Sequence, residues 1–180
     1  MNTDRIAWLD LETTGLNEVR GEILECGVIV TDSSLVEIAR CAWVFYAHDG
    51  MFRLPDDQRA LDMHRKSGLL AECKRSPYHP EDLQDEIVQW ITDAGAAGSP
   101  MHGAGIQFDR RWLACHMPRL HDLFHYRNGD ATHYRILADR LGVTCPPKRE
   151  AHRALTDLED SIALMQWGDA RFIAGHGVLP

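Results

Sequence analysis

The sequence lacks most of what would place it in a membrane, outside a cell or along a long nucleic acid. No apolar run approaches the roughly 20 residues of a bilayer span, so no membrane partner is expected. The opening stretch MNTDRIAWLDLETTG contains no signal-peptide apolar region, which makes a cytoplasmic location the expectation. Cysteine is sparse and scattered. Cys26, Cys41, Cys73, Cys115 and Cys145 show no CxxC spacing, as expected of reduced thiols rather than a disulfide framework. A zinc set can be drawn from Cys115, His116, His121 and His125, but their spacing matches no common ligand pattern. Positive charge is also short: 19 Lys and Arg stand against 27 Asp and Glu, a formal net charge of −8. That balance argues against gripping long duplexes by phosphate neutralisation. It leaves a nuclease open, because bound metal ions add local positive charge and a short substrate needs few phosphate contacts. Internal repeats, low-complexity runs and Gly/Ser linkers are absent as well. A single domain over 1–180 is expected, with about 170–180 as a flexible tail.

What is present reads as an α/β chain. Residues 5–12 form a short apolar strand ending in the turn-like TTGLN. Two further strands are expected at 22–32 and 35–47, joined at Ser33-Ser34 as a hairpin, which makes an antiparallel meander. Helical composition follows at 56–73. At 80–94 Pro80 suits a first helical position, and Leu83, Ile87, Trp90 and Ile91 mark an apolar face. A short strand near 100–104 precedes a helix at 107–117, which Pro118 stops. Helices at 131–141, closed by Gly142, and at 153–168 complete the chain. A meander followed by alternating helix and strand predicts a sheet with helices on its faces.

Three places carry candidate chemistry. Asp10 and Glu12 are two apart on a strand, so both carboxylates point to one face. Their neighbours Trp8, Leu9 and Leu11 are apolar, and like charges rising from a buried strand need a cation or a large compensating interaction. Two surface acids at a strand end would look the same. Asp109 opens a helix after the Gly-rich HGAGIQF, a position that the helix dipole alone would favour. In AHRALTDLEDS, His152 stands at a helix start and Asp157 one turn in, next to the small Ala154. Each alone also fits an ordinary surface residue.

Taken together, D-x-E near the start, a lone Asp near mid-chain and H-x4-D near the end resemble the DEDDh 3′–5′ exonucleases. Within that family the likeness is to oligoribonuclease. It is carried by WLDLETTGL (8–16), HRKSGL (64–69), FDRRWL (108–113), FHYRNGD (124–130) and AHRALTDLEDS (151–161). The resemblance implies a ribonuclease-H-like fold: a central mixed five-stranded sheet, antiparallel meander then parallel strands, with helices on both faces. It implies that Asp10, Glu12 and Asp157 bind one divalent ion, that Asp10 bridges to a second and that Asp109 completes the site. Oxygen-only ligands suit Mg²⁺ or Mn²⁺. His152 would act as general base, and the product would be a nucleoside 5′-monophosphate.

By the same likeness Leu16 wedges against the bases and His64 lines the pocket. Arg127 grips a 5′ phosphate, and Tyr126 reaches in from the partner of a homodimer. The departures lie in that cap. Gly105 stands where the family has the Ser of G-N-S. Asp130-Ala131-Thr132-His133 replaces D-V-S-T, so Thr132 keeps a hydroxyl and His133 does not. The implied activity is degradation of short single-stranded RNA, dinucleotides especially. The alternative is a DEDDh exonuclease of proofreading or RNA-trimming type acting on longer single-stranded DNA or RNA. A non-catalytic binding protein on this fold would be expected to lack one of the five groups, and all five are present.

Overall fold

The computed structural model describes residues 4–54 and 57–173. Its organising element is β1 (Arg5–Thr13), which sits at the centre of a five-stranded sheet ordered β3-β2-β1-β4-β5. β2 (Ile23–Asp32) and β3 (Glu37–Val44) add antiparallel on one side. β4 (Pro100–Gly103) and β5 (His125–Asp130) add parallel on the other. The mixed sheet therefore agrees with the sequence expectation.

Alternation along β1 and β2 sorts their side chains to two faces. Ala7, Leu9, Leu11, Val28 and Val30 pack with α3 (Pro80–Asp93), α4 (Gln107–His116) and α5 (Pro118–Leu123), through Ile87, Ile91, Trp112, Leu113 and Leu120. On the opposite face Trp8 and Ile29 pack with Leu158 and Ile162 of α7 (Ala154–Gly168). The Trp8 indole, fully buried, donates to Thr31 Oγ1 at 3.1 Å. Asp10 and Glu12 share Trp8's face. The strand's period therefore carries the acids out from under α7 as the core ends, at the carboxyl end of β1, where open α/β sheets place their sites.

Several expectations need correction. The β2–β3 link is not a two-residue hairpin: Asp32 Oδ1 accepts from the backbone N–H of Ser34 (2.8 Å) and Val36 (3.0 Å), and Leu35 takes a left-handed φ of 62°. β3 consequently starts later than expected. The helical stretch to residue 73 is two helices, α1 (Asp57–Lys66) and α2 (Leu69–Cys73), broken at Gly68 with φ 82°. Pro118 ends α4 but also opens α5, since a proline lacking its N–H suits a first helical position. The expected tail from 170 begins as a π-helical turn, Asp169–Ile173, in which Phe172 stacks on Tyr134 of α6 (Thr132–Leu141). Residues 174–180 of that expectation lie outside the described residues. Among the described residues no helix is long and apolar enough to cross a membrane.

Candidate active site

Asp10, Glu12 and Asp157 each offer a carboxylate oxygen, and these oxygens lie within 4.8 Å of one another. Among the described residues this is the one group of three or more His, Cys, Asp or Glu side chains so arranged. Two come from β1, and the third comes from the first turn of α7. α7 can approach because β2 carries Gly27, where a β-carbon would stand 2.6 Å from that of Ala154. Asp109 is 4% exposed and joins from α4. β4 pairs with β1 only at Ala7 and Trp8, so the Leu11 N–H finds no partner in the ladder, and Asp109 Oδ1 accepts it at 3.0 Å.

Burial and crowding raise the proton affinity of Asp10, Glu12 and Asp109. Burial, then Asp109, Glu12 and Asp157, hold Asp10 well above the usual carboxylate range. Burial, then Asp157 and Glu25, push Glu12 up to about 8. Burial lifts Asp109 to about 7 against the pull of the Leu11 N–H. The unforeseen cation here is Lys148, whose Nζ lies 3.1 Å from Asp157 Oδ2. Asp157 Oδ1 is buried with no hydrogen-bond partner. An orphaned carboxylate oxygen within a cluster of oxygen donors fits a hard divalent cation.

Beside Glu12 opens a cavity of about 340 Å³. Its walls include Leu16, Arg59, Met63, His64, Phe108 and His152. Leu16 is 73% exposed and stands at this cavity as an apolar projection. His64 is a buried wall residue whose Nε2 donates to the Thr13 carbonyl at 2.9 Å, which leaves Nδ1 3.9 Å from Glu12 Oε2. His152 is half-buried, and its backbone φ is 50°.

The cap residues are not brought to this cavity. Tyr126 and Arg127 are exposed on the edge strand β5, with the guanidinium 5.5 Å from the tyrosine ring centroid, and neither lines the cavity. Thr132 lines a separate hollow of about 40 Å³ with Lys148 and Asp157. His133 lies edge-on to Tyr134. Gly105 has a φ of 73°, which a serine would adopt with strain. Its N–H and that of Thr132 both donate to Asp130 Oδ1, at 3.0 and 2.9 Å, tying the two loops together without a serine hydroxyl. The alternative zinc set does not assemble among the described residues. His116 Nε2 bonds the Glu18 carbonyl, His121 pairs with Asp122, and His125 Nδ1 accepts from the Arg127 N–H.

Sequence reading missed Glu25 and Arg153. Glu25 is 2% exposed and faces Glu12 in the β1–β2 register. Its carboxylate accepts from Arg153 Nη2 at 2.9 Å and from the Ala154 N–H at 3.0 Å. Arg153 also spans to Glu72 of α2, at 2.9 and 3.0 Å. The signal was there: a glutamate inside the apolar run ILECGVIV demands a buried partner.

Comparisons with known proteins agree with this geometry. The exonuclease family model RNase_T matches residues 7–165. The chain is 35% identical over 169 residues to the oligoribonuclease of Pseudoalteromonas translucida, covering 90% of this chain and 92% of that one. It is 37% identical over 167 residues to that of Idiomarina loihiensis, covering 90% and 91%. For the Coxiella burnetii oligoribonuclease the identity is 34% over 175 residues, covering 94% and 95%. Among solved structures, E. coli exonuclease I in complex with a dT13 oligonucleotide superimposes with a TM-score of 0.68 at 16% identity. That match covers 93% of this chain and 41% of the larger protein, and it shows the shared ribonuclease-H-like fold. The chain belongs to the exonuclease family and, within it, to the oligoribonucleases.

Proposed function

We propose that this protein is a metal-dependent 3′–5′ exoribonuclease that degrades short RNA, dinucleotides foremost, to nucleoside 5′-monophosphates. The observation that carries this reading is the group of three carboxylates at the end of β1 and the start of α7, set beside a cavity with His152 in its wall. Asp10, Glu12 and Asp157 would hold the ions, with Asp109 completing the set while it anchors the Leu11 backbone. Two Mg²⁺ or Mn²⁺ ions bound there would supply positive charge to the attacking and leaving oxygens of an in-line displacement.

The chain's own groups do the rest. The terminal base enters the slot walled by Met63 and Phe108, and Leu16 separates it from its neighbour. His152 accepts a proton from the attacking water as that oxygen bonds to phosphorus. The bond from phosphorus to the upstream 3′ oxygen breaks, and the upstream fragment leaves. An imidazole suits this transfer near neutral pH. Arg127 and Tyr126 stand off the cavity, so their part, the 5′ phosphate and the second base, belongs to a homodimer in which they serve the partner's site. Arg127 fits a phosphate through its planar fork of donors.

The test is a time course on 5′-labelled RNA, a dinucleotide against a longer oligomer, with Mn²⁺ or with EDTA. The dinucleotide should vanish fastest, and EDTA should stop it. Steady trimming of the longer strand while dinucleotides survive would move the substrate to the alternative range. Cleavage undiminished in EDTA would overturn the metal assignment.

A further inference from the structure

The proposed base lies in a stretch without regular structure ahead of α7, and it is the residue there with a left-handed backbone. A residue bearing a β-carbon holds such a conformation only where its surroundings over-determine it. The two residues that follow supply the constraint. Arg153 bonds Glu25 through Nε (3.2 Å) and Nη2 (2.9 Å), and Glu72 through Nη1 (2.9 Å) and Nη2 (3.0 Å). The Ala154 N–H, first of α7, donates to Glu25 Oε2 at 3.0 Å. One buried carboxylate on β2 therefore fixes both the side chain and the backbone immediately after His152, and α2 holds the guanidinium from the other side. Both Glu25 oxygens are engaged in this way, and Glu25 is not in the carboxylate group although it faces Glu12 across the sheet.

We infer that Glu25, Arg153 and Glu72 form a clamp that sets the backbone turn at His152 and so aims its imidazole at the attacking water. They are positioning residues for the proton transfer, neither metal ligands nor substrate contacts. The planar fork of arginine is what lets one cation bridge two carboxylates. This inference rests on His152 as the base.

A double-mutant cycle separates the clamp from that reading. Wild type, Glu25→Gln, His152→Ala and the double variant are compared on a dinucleotide at saturating Mn²⁺, with Mn²⁺ affinity measured by calorimetry. Glu25→Gln should lower kcat by about tenfold, leave KM and Mn²⁺ affinity within about twofold, and cost nothing further once His152 is alanine. An equal fold-loss in both backgrounds, or a loss expressed in Mn²⁺ affinity, would overturn the clamp. If Glu25→Gln does not fold, Glu72→Gln serves, because Glu72 is half-exposed and its loss keeps the Arg153–Glu25 pair. A loss of about threefold in kcat, again absent beside His152→Ala, is expected. The same loss in both backgrounds refutes the proposal. Should His152→Ala alone keep the wild-type rate, the base assignment fails first and the clamp's purpose fails with it.

Discussion

Glu12 shows how a single buried acid couples chemistry to stability. Its carboxyl is pushed up to about 8 in the folded protein against an ordinary 4.5. Without metal, the folded state binds more protons than the unfolded state between those values. Stability from this group is therefore lost as pH rises through that window, on the order of 1 kcal/mol per pH unit. His64 and His102, held down by burial, contribute with the opposite sign, so the clean measurement is a difference. In EDTA, Glu12→Gln should melt higher than wild type, and the gap should widen from about pH 5 to about pH 8. A gap that closes would contradict the burial argument. Lys148 poses the converse case. Its ammonium sits on Asp157 at 3.1 Å, where a divalent ion of the proposed site would have to compete with it. Lys148→Met should bind Mn²⁺ several-fold more tightly in a calorimetric titration, and weaker binding would mean that Lys148 helps build the site. Period two along β1 made the Asp10–Glu12 pair legible in sequence. Lys148 was not, because its approach depends on an irregular loop with no repeating pattern.

At the scale of elements, α7 and β2 meet at Gly27, where any β-carbon would force one of them to shift. An added β-carbon would lie 2.6 Å from Ala154 Cβ and 3.1 Å from its carbonyl carbon. Gly27→Ala should cost about 1–3 kcal/mol in denaturant titrations. Because the helix carries Asp157, Mn²⁺ affinity should fall with it. A variant as stable as wild type would show that the helix can shift freely. Elements with strong periodicity were readable: α3 from its apolar face, and β1 and β2 from their buried runs. β5 was not, because His125–Asp130 is an edge strand whose polar sequence has no alternation. The break at Gly68 and the start at Pro118 were punctuation with two readings, and tertiary packing chose between them. The bond from Leu11 to Asp109 was illegible for a different reason. It exists because β4 is short, a fact about another segment altogether.

For the whole molecule, the balance of −8 bears on what it can hold. An enzyme that meets one or two phosphates should lose less than about tenfold in kcat/KM between roughly 50 and 200 mM salt, whereas one tracking six would lose a few hundredfold. Measuring that slope on the dinucleotide tests substrate length independently of any variant, and a steep slope would favour the longer-strand range. The sheet's order also has a consequence in time rather than space. The carboxylate group joins the first strand to the last long helix. During synthesis, a growing chain cannot complete it until residue 157 has left the ribosome. A protein proposed to consume RNA is thus made beside RNA in a form whose carboxylate group is still incomplete.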